Sequence, residues 1–148
     1  ALKPGAFGAF REAFAAACFA QVGAAFRLPE LWIDGWLSDG DIDMELIRSV
    51  RRLEPFGEGH PRPCWGVRCV TLQGPPQAMG ADGDHLRLNL LTAVGLPLQA
   101  VWFRAGRHLP RLAAHAGPFE VAGELQENTF RDAQALQLVV RDVRLPVS

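Results

Sequence analysis

Residues 85–91, HLRLNLL, set Leu86, Leu88 and Leu90 against His85, Arg87 and Asn89. Successive side chains of an extended chain point to opposite faces, so this stretch reads as a strand with one buried face. Residues 135–143, ALQLVVRDV, repeat the pattern, with Leu136, Leu138 and Val140 alternating with Gln137, Val139 and Arg141. Working outward from these two, residues 65–72, 98–103 and 119–125 read as further short strands bounded by glycine, proline and polar residues. Residues 107–116, RHLPRLAAHA, lie between the third and fourth strands and predict a short helix, because Pro110 is tolerated near a helix start.

Five short strands with a helix between the third and fourth is the order of the oligonucleotide/oligosaccharide-binding (OB) fold. That fold is a partly open barrel whose exposed face and flanking loops bind extended chains. The predicted fold class is therefore mainly β with flanking helices (α+β), with an OB-type barrel over residues 64–148. Three elements are expected before it. Residues 7–26 predict a helix with Phe7, Phe10, Phe14 and Ala17 or Cys18 on one face. Residues 31–37, LWIDGWL, predict a short strand that either joins the barrel sheet or caps it. Residues 42–53 predict a second helix, with Asp41 as N-cap, Ile42, Leu46, Val50 and Leu53 as its apolar face and Ile47 on the edge. Residues 53–63, LEPFGEGHPRP, hold too many prolines and glycines for a regular element and read as a stiff connector.

The composition restricts the function classes. With 49% hydrophobic residues the 148-residue chain is no disordered segment, and it suffices for one domain plus an appendage. A net charge of −1 argues against gripping nucleic acid by bulk charge, so any such contact must be local. Cys18, Cys64 and Cys69 are an odd count without a framework spacing and read as free thiols of a reducing cytoplasm. Metal-ligand spacings such as CxxC and HExxH are absent, as is any long uncharged apolar run.

Candidate binding residues follow from strand parity. Arg87 lies on the second strand, the usual binding face of an OB barrel, where a guanidinium pairs with phosphate or stacks on a base. His85 and Asn89 flank it. Arg68 on the first strand takes the parity opposite to Trp65 and Val67, as a second phosphate contact, with Trp65 read as core. Trp102 and Phe103 end the third strand, and one of the two must face outward as a stacking platform. Asn128, Phe130 and Arg131 lie in the loop between the fourth and fifth strands. The arginines 48, 51 and 52 read as solvated helix surface. Glu54, Glu58, Glu124 and Glu127 suggest no acid pair, and His108 with His115 is too small a set for a metal site.

Four segments resemble one family at matching order and spacing: residues 53–63 (LEPFGEGHPRP), 80–90 (GADGDHLRLNL), 98–100 (LQA) and 121–144 (VAGELQENTFRDAQALQLVVRDVR). His60 departs from the usual asparagine. In these segments, in LWIDGWL and in the Phe-rich helix, the chain resembles the C-terminal region of the RecJ exonucleases. The resemblance implies a parent enzyme that degrades single-stranded DNA 5′ to 3′ in recombinational, mismatch and base-excision repair. Its DHH domain would hold two divalent cations, Mg or Mn, that clamp the reacting oxygens. No Asp-His-His triplet and no Gly-Gly-Gly-His motif occurs here. Residues 1–28 are accordingly expected to be the helical tail of a truncated DHHA1 domain, with residues 29–63 a strand–helix connector. The chain alone is expected to carry no catalytic residue, to bind no cofactor and to be inactive. Expected partners are single-stranded DNA and the DHH/DHHA1 nuclease core, in the cytoplasm and without a membrane. The alternative expectation is a protein-interaction or structural module that docks on that core or on a partner protein. Self-association through the Phe7–Phe10–Phe14 face is a further expectation.

Overall fold

The structure is a computed structural model and describes residues 5–22, 30–128 and 135–146. The chain divides into two compact units, residues 1–31 and 32–148.

Among its described residues the first unit holds one helix, α1 (Phe7–Val22). Phe7, Phe10 and Phe14 are exposed, with Phe10 and Phe14 stacked at 5.7 Å between ring centres. Phe19 is exposed as well, but it stands five residues beyond Phe14, out of step with the three- and four-residue spacing that puts Phe7, Phe10 and Phe14 on one face. Alanine occupies most other positions, and such a helix has little amphipathic contrast.

The second unit begins with β1 (Gly35–Leu37), a 3₁₀ turn (Asp39–Asp41) and α2 (Met44–Arg51). Only the end of LWIDGWL is a strand, and it joins the sheet in parallel with Trp65, Gly66 and Val67. Asp34 pins its start: its N–H donates to the Cys64 carbonyl and its carboxylate accepts from the Cys64 N–H, both at 2.8 Å. The α2 helix starts later than its apolar spacing suggested. Asp43, not Asp41, is the N-cap and accepts from the Leu46 N–H at 2.8 Å. The Asp41 carboxylate instead accepts from the N–H and hydroxyl of Ser38, which closes the 3₁₀ turn and lowers the Asp41 pKa. The helix ends at Arg51, so Leu53 lies beyond it and is exposed, while Ile47 is the residue of α2 that is buried in the core.

The connector is ordered by its own side chains. Gly57 and His60 exchange backbone hydrogen bonds, His60 Nε2 lies 3.0 Å from the Leu53 carbonyl, and the His60 and Phe56 rings stack. Arg62 covers Phe56 and pairs with Glu54.

The barrel follows: β2 (Trp65–Leu72), β3 (Gln77–Met79), β4 (His85–Leu91), β5 (Pro97–Trp102), α3 (Leu109–Ala113), β6 (Phe119–Asn128) and β7 (Ala135–Arg144). The sheet order is β1-β2-β6-β7-β5-β4-β3, and an additional pairing of β2 with β4 closes the ring. The β5–β7 pair is parallel, while the other ring contacts are antiparallel. Strand β3 was not legible in the sequence: it has three residues behind Gly74-Pro75-Pro76, yet pairs with β4 from Arg87 to His85. Together β2 and β3 form one long bent arm beside β4.

Leu86, Leu88, Leu90, Leu98, Ala100 and Leu138 are essentially fully buried inside the ring. Burying one such leucine contributes roughly 1.5–3 kcal/mol. Leu112 of α3 and Phe119 at the start of β6 complete this core. The barrel bends at two irregularities, in β2 and in β6. Cys69 has φ 55°, and the β2–β6 register shifts between Val67 and Val70. Arg68 and Cys69 are both exposed and Val70 is buried, so strict alternation along β2 breaks there. The β6–β7 register shifts between Ala122 and Gly123.

Candidate nucleic-acid interface

Strands β4 and β5 set out a face of two cross-strand pairs and one ring contact. Arg87 opposes Val101 and Asn89 opposes Gln99, and Phe103, just past the end of β5, packs against His85. Alternate residues of β4 fill the barrel, and the same parity sets Arg87, Asn89 and Gln99 on the outer face, where Val101 is itself buried. His85 to Asn89 spans about 13 Å along the strand. An aromatic end, a cationic middle and a carboxamide end therefore lie in line.

The aromatic end is built by local geometry. The chain turns sharply after β5, and Arg104 takes φ 55°. Its backbone N–H donates to His85 Nδ1 at 3.1 Å. Phe103 is 54% exposed and packs edge-on against His85 at 5.3 Å between ring centres. Trp102 is buried inside and stacks on His108 at 4.6 Å. Burial excludes Trp102 as a stacking platform; of the two aromatics, Phe103 is the one that faces out. Gly106 seats the following turn against the β3–β4 loop, where an added Cβ would stand 2.5 Å from the Gly83 carbonyl oxygen.

Charge is sorted around the barrel. Arg51 pairs with Glu127 at 2.5 Å, Arg141 with Glu124, and Arg144 with Glu120. Arg68 lies 4.0 Å over the Trp36 ring and 3.9 Å from Glu120, on the β1 and β6 side of β2 and not on the β4–β5 face. Among the described residues, Arg87, Arg104 and Arg111 carry no ion pair, and Arg107 bonds only to His108. The uncommitted cations thus include a group on β4 and on the β5–α3 connection. A nearly neutral chain can present a local positive face in this way.

Of the remaining predicted residues, Asn128 ends β6 opposite Ala135 and is engaged within the chain. Phe130 and Arg131 lie outside the described residues. The sequence reading missed Arg104 and Gln99. Parity pointed to Gln99, between the inward Leu98 and Ala100, but nothing in a lone arginine after a strand marks its turn.

Nucleophilic chemistry finds little support. Cys18, Cys64 and Cys69 are free thiols. Burial, reinforced by the negative charge of Asp34, pushes the Cys64 thiol up, which keeps it protonated. His108 stacks on Trp102 while His115 packs edge-on against Phe119. Among the described residues no three His, Cys, Asp or Glu side chains converge as a metal site, and no helix is long and apolar enough to cross a membrane.

The RecJ OB domain family model matches residues 33–142. The single-stranded-DNA-specific exonuclease RecJ of Haemophilus influenzae is 29% identical over 112 residues, covering 74% of this chain and 19% of that protein. The crystal structure of RecJ from Thermus thermophilus in complex with Mg2+ superposes with a TM-score of 0.62 at 26% identity, over 95% of this chain and 21% of that one. Its complex with Mn2+ gives 0.60 at 26% identity, over 95% and 20%. The chain thus spans about a fifth of the length of these relatives. A family match from β1 into β7, on a ring closed in OB order, makes this chain a member of the RecJ OB domain family.

Proposed function

We propose that this chain is the strand-holding OB module of a RecJ-like, single-strand-specific 5′-to-3′ DNA exonuclease, whose chemistry is carried by a DHH nuclease core. The observation that carries this reading is the β4–β5 face. There Arg87 has no ion pair, Phe103 is exposed beside His85, and Asn89 and Gln99 stand next in line. Phosphate contacts from Arg87 and Arg104 and stacking on Phe103 would hold a single strand irrespective of sequence, since every base has a π-face. The name of the Haemophilus relative supports single-stranded DNA as the ligand.

The test is anisotropy of labelled oligo-dT with the 148-residue chain between about 50 and 200 mM salt. Weak binding that falls with salt is expected. Arg87→Ala should make the log–log salt slope shallower by about 0.7, the share of one phosphate contact on a single strand. Absence of binding at the low-salt end overturns the reading.

A second reading, a docking module for the nuclease core or a partner protein, is favoured by one observation. Trp32 is 83% exposed, Trp36 is exposed, and β1 ends the sheet with an unpaired edge among the described residues. If oligo-dT fails to bind, this edge becomes the surface to mutate.

A further inference from the structure

A row of carboxamides crosses the outside of the barrel. Asn89 on β4 opposes Gln99 on β5, Gln99 pairs in register with Gln137 on β7, and Gln137 opposes Gln126 on β6. Gln73 adds a fifth position, because its backbone N–H donates to the Asn89 carbonyl at 2.7 Å. Residues directly opposite in a ladder share a face, with Cβ atoms about 5 Å apart. The row therefore runs perpendicular to the strands and continues past the β4–β5 face.

Four of these five side chains are uncommitted. Gln126 donates to Glu124 at 3.2 Å, but the amides of Gln73, Asn89, Gln99 and Gln137 bond to no other described residue. Asn89 and Gln137 are half-buried. An open groove of about 330 Å³ lies at one end of the row, where Gln73, Asn89 and Gln99 line it together with Leu90, Leu98 and Leu136; Gln137 and Gln126 lie outside it. The row itself holds no charge; charged groups flank it, Arg87 on one side and the Glu124–Arg141 pair on another.

A carboxamide offers donors and an acceptor together, which matches base edges and leaves phosphate to the arginines. We infer that the strand continues beyond Arg87 across β5 and β7, with its bases on Gln99 and Gln137. This rests on the proposed single-strand reading and deepens it. Binding then has a salt-dependent part on Arg87 and Arg104 and a salt-independent part on the amide row.

The experiment compares the 148-residue chain with the double variant Gln99→Ala/Gln137→Ala. Each is titrated with oligo-dT and with an abasic oligomer of equal length, which keeps the phosphates and lacks the bases. The double variant should bind oligo-dT about tenfold more weakly, as expected for two lost hydrogen bonds. Its salt slope should equal that of the unsubstituted chain, and its preference for oligo-dT over the abasic strand should shrink. Substitution on an outer strand face leaves the fold intact; Gln99→Val/Gln137→Val, with higher strand propensity, repeats the test should the alanine pair unfold. Unchanged affinity with retained base preference overturns the inference and leaves the single-strand reading standing. No binding of oligo-dT by the unsubstituted chain at low salt overturns both.

Discussion

Single residues set the backbone paths on which the interface depends. Gly123 is the clearest. A Cβ there would stand 2.3 Å from the Val139 carbonyl oxygen, at the register shift between Ala122 and Gly123 where β6 bends against β7. The obstacle is backbone, so it cannot rotate away as a side chain would. Gly123→Ala should destabilise the chain by about 1–3 kcal/mol, read as a lower urea midpoint with an unchanged m-value. A midpoint equal to that of the unsubstituted chain would show that β7 can shift aside. Gly66 is a softer case: its added Cβ would meet the Trp36 side chain at 2.6 Å, and a side chain can move.

At the scale of elements, α2 shows how one cap secures a helix. Asp43 accepts from the Leu46 N–H and so secures the first turn of the helix whose Ile47 is buried in the core. Asp43→Ala should cost about 1 kcal/mol, the usual contribution of such a cap, measured by thermal or urea unfolding. The loss should vanish in Asp43→Ser, which keeps a capping oxygen. Arg51, one turn on from Ile47, ties the same helix to Glu127 of β6. The arginines of α2 were read as solvated surface, yet one of them is a tertiary contact. Helix periodicity shows which residues share a face and is silent about what stands opposite.

For the whole molecule, ring closure is decisive. In the sheet order β4, β5, β6 and β7 each have a hydrogen-bonded neighbour on both sides, the β2–β4 pairing closes the ring, and β1 and β3 are the ends of the sheet. Backbone amides of β5 and β7 should exchange with deuterium only through global opening, and those of β1 and β3 through cheaper local fraying. Exchange mass spectrometry reads this directly. Exchange in β5 as fast as in β3 would contradict this strand order.

Leu86, Leu88 and Leu90, with Leu136, Leu138 and Val140, determined by their spacing alone that the chain builds one-faced strands. The helix at residues 109–113 then placed those strands in OB order. These signals are local, because alternation needs only the chain's own geometry. The outward identity of His85, Arg87 and Asn89 was legible for the same reason. What pairs with what was not. The Asn89–Gln99–Gln137–Gln126 row exists only because β5 and β7, distant in sequence, lie in parallel register. Trp102 takes the inward parity of Leu98 and Ala100 opposite Leu86, and His108 returns from the next turn to stack on it, which leaves Phe103 as the aromatic that faces out. Glutamates of β6 occupy Arg68, Arg141 and Arg144 and leave Arg87 uncommitted. Sequence determined which side chains could leave the core; tertiary structure decided which of them found partners, because hydrogen bonds and ion pairs depend on distances that only the closed barrel sets.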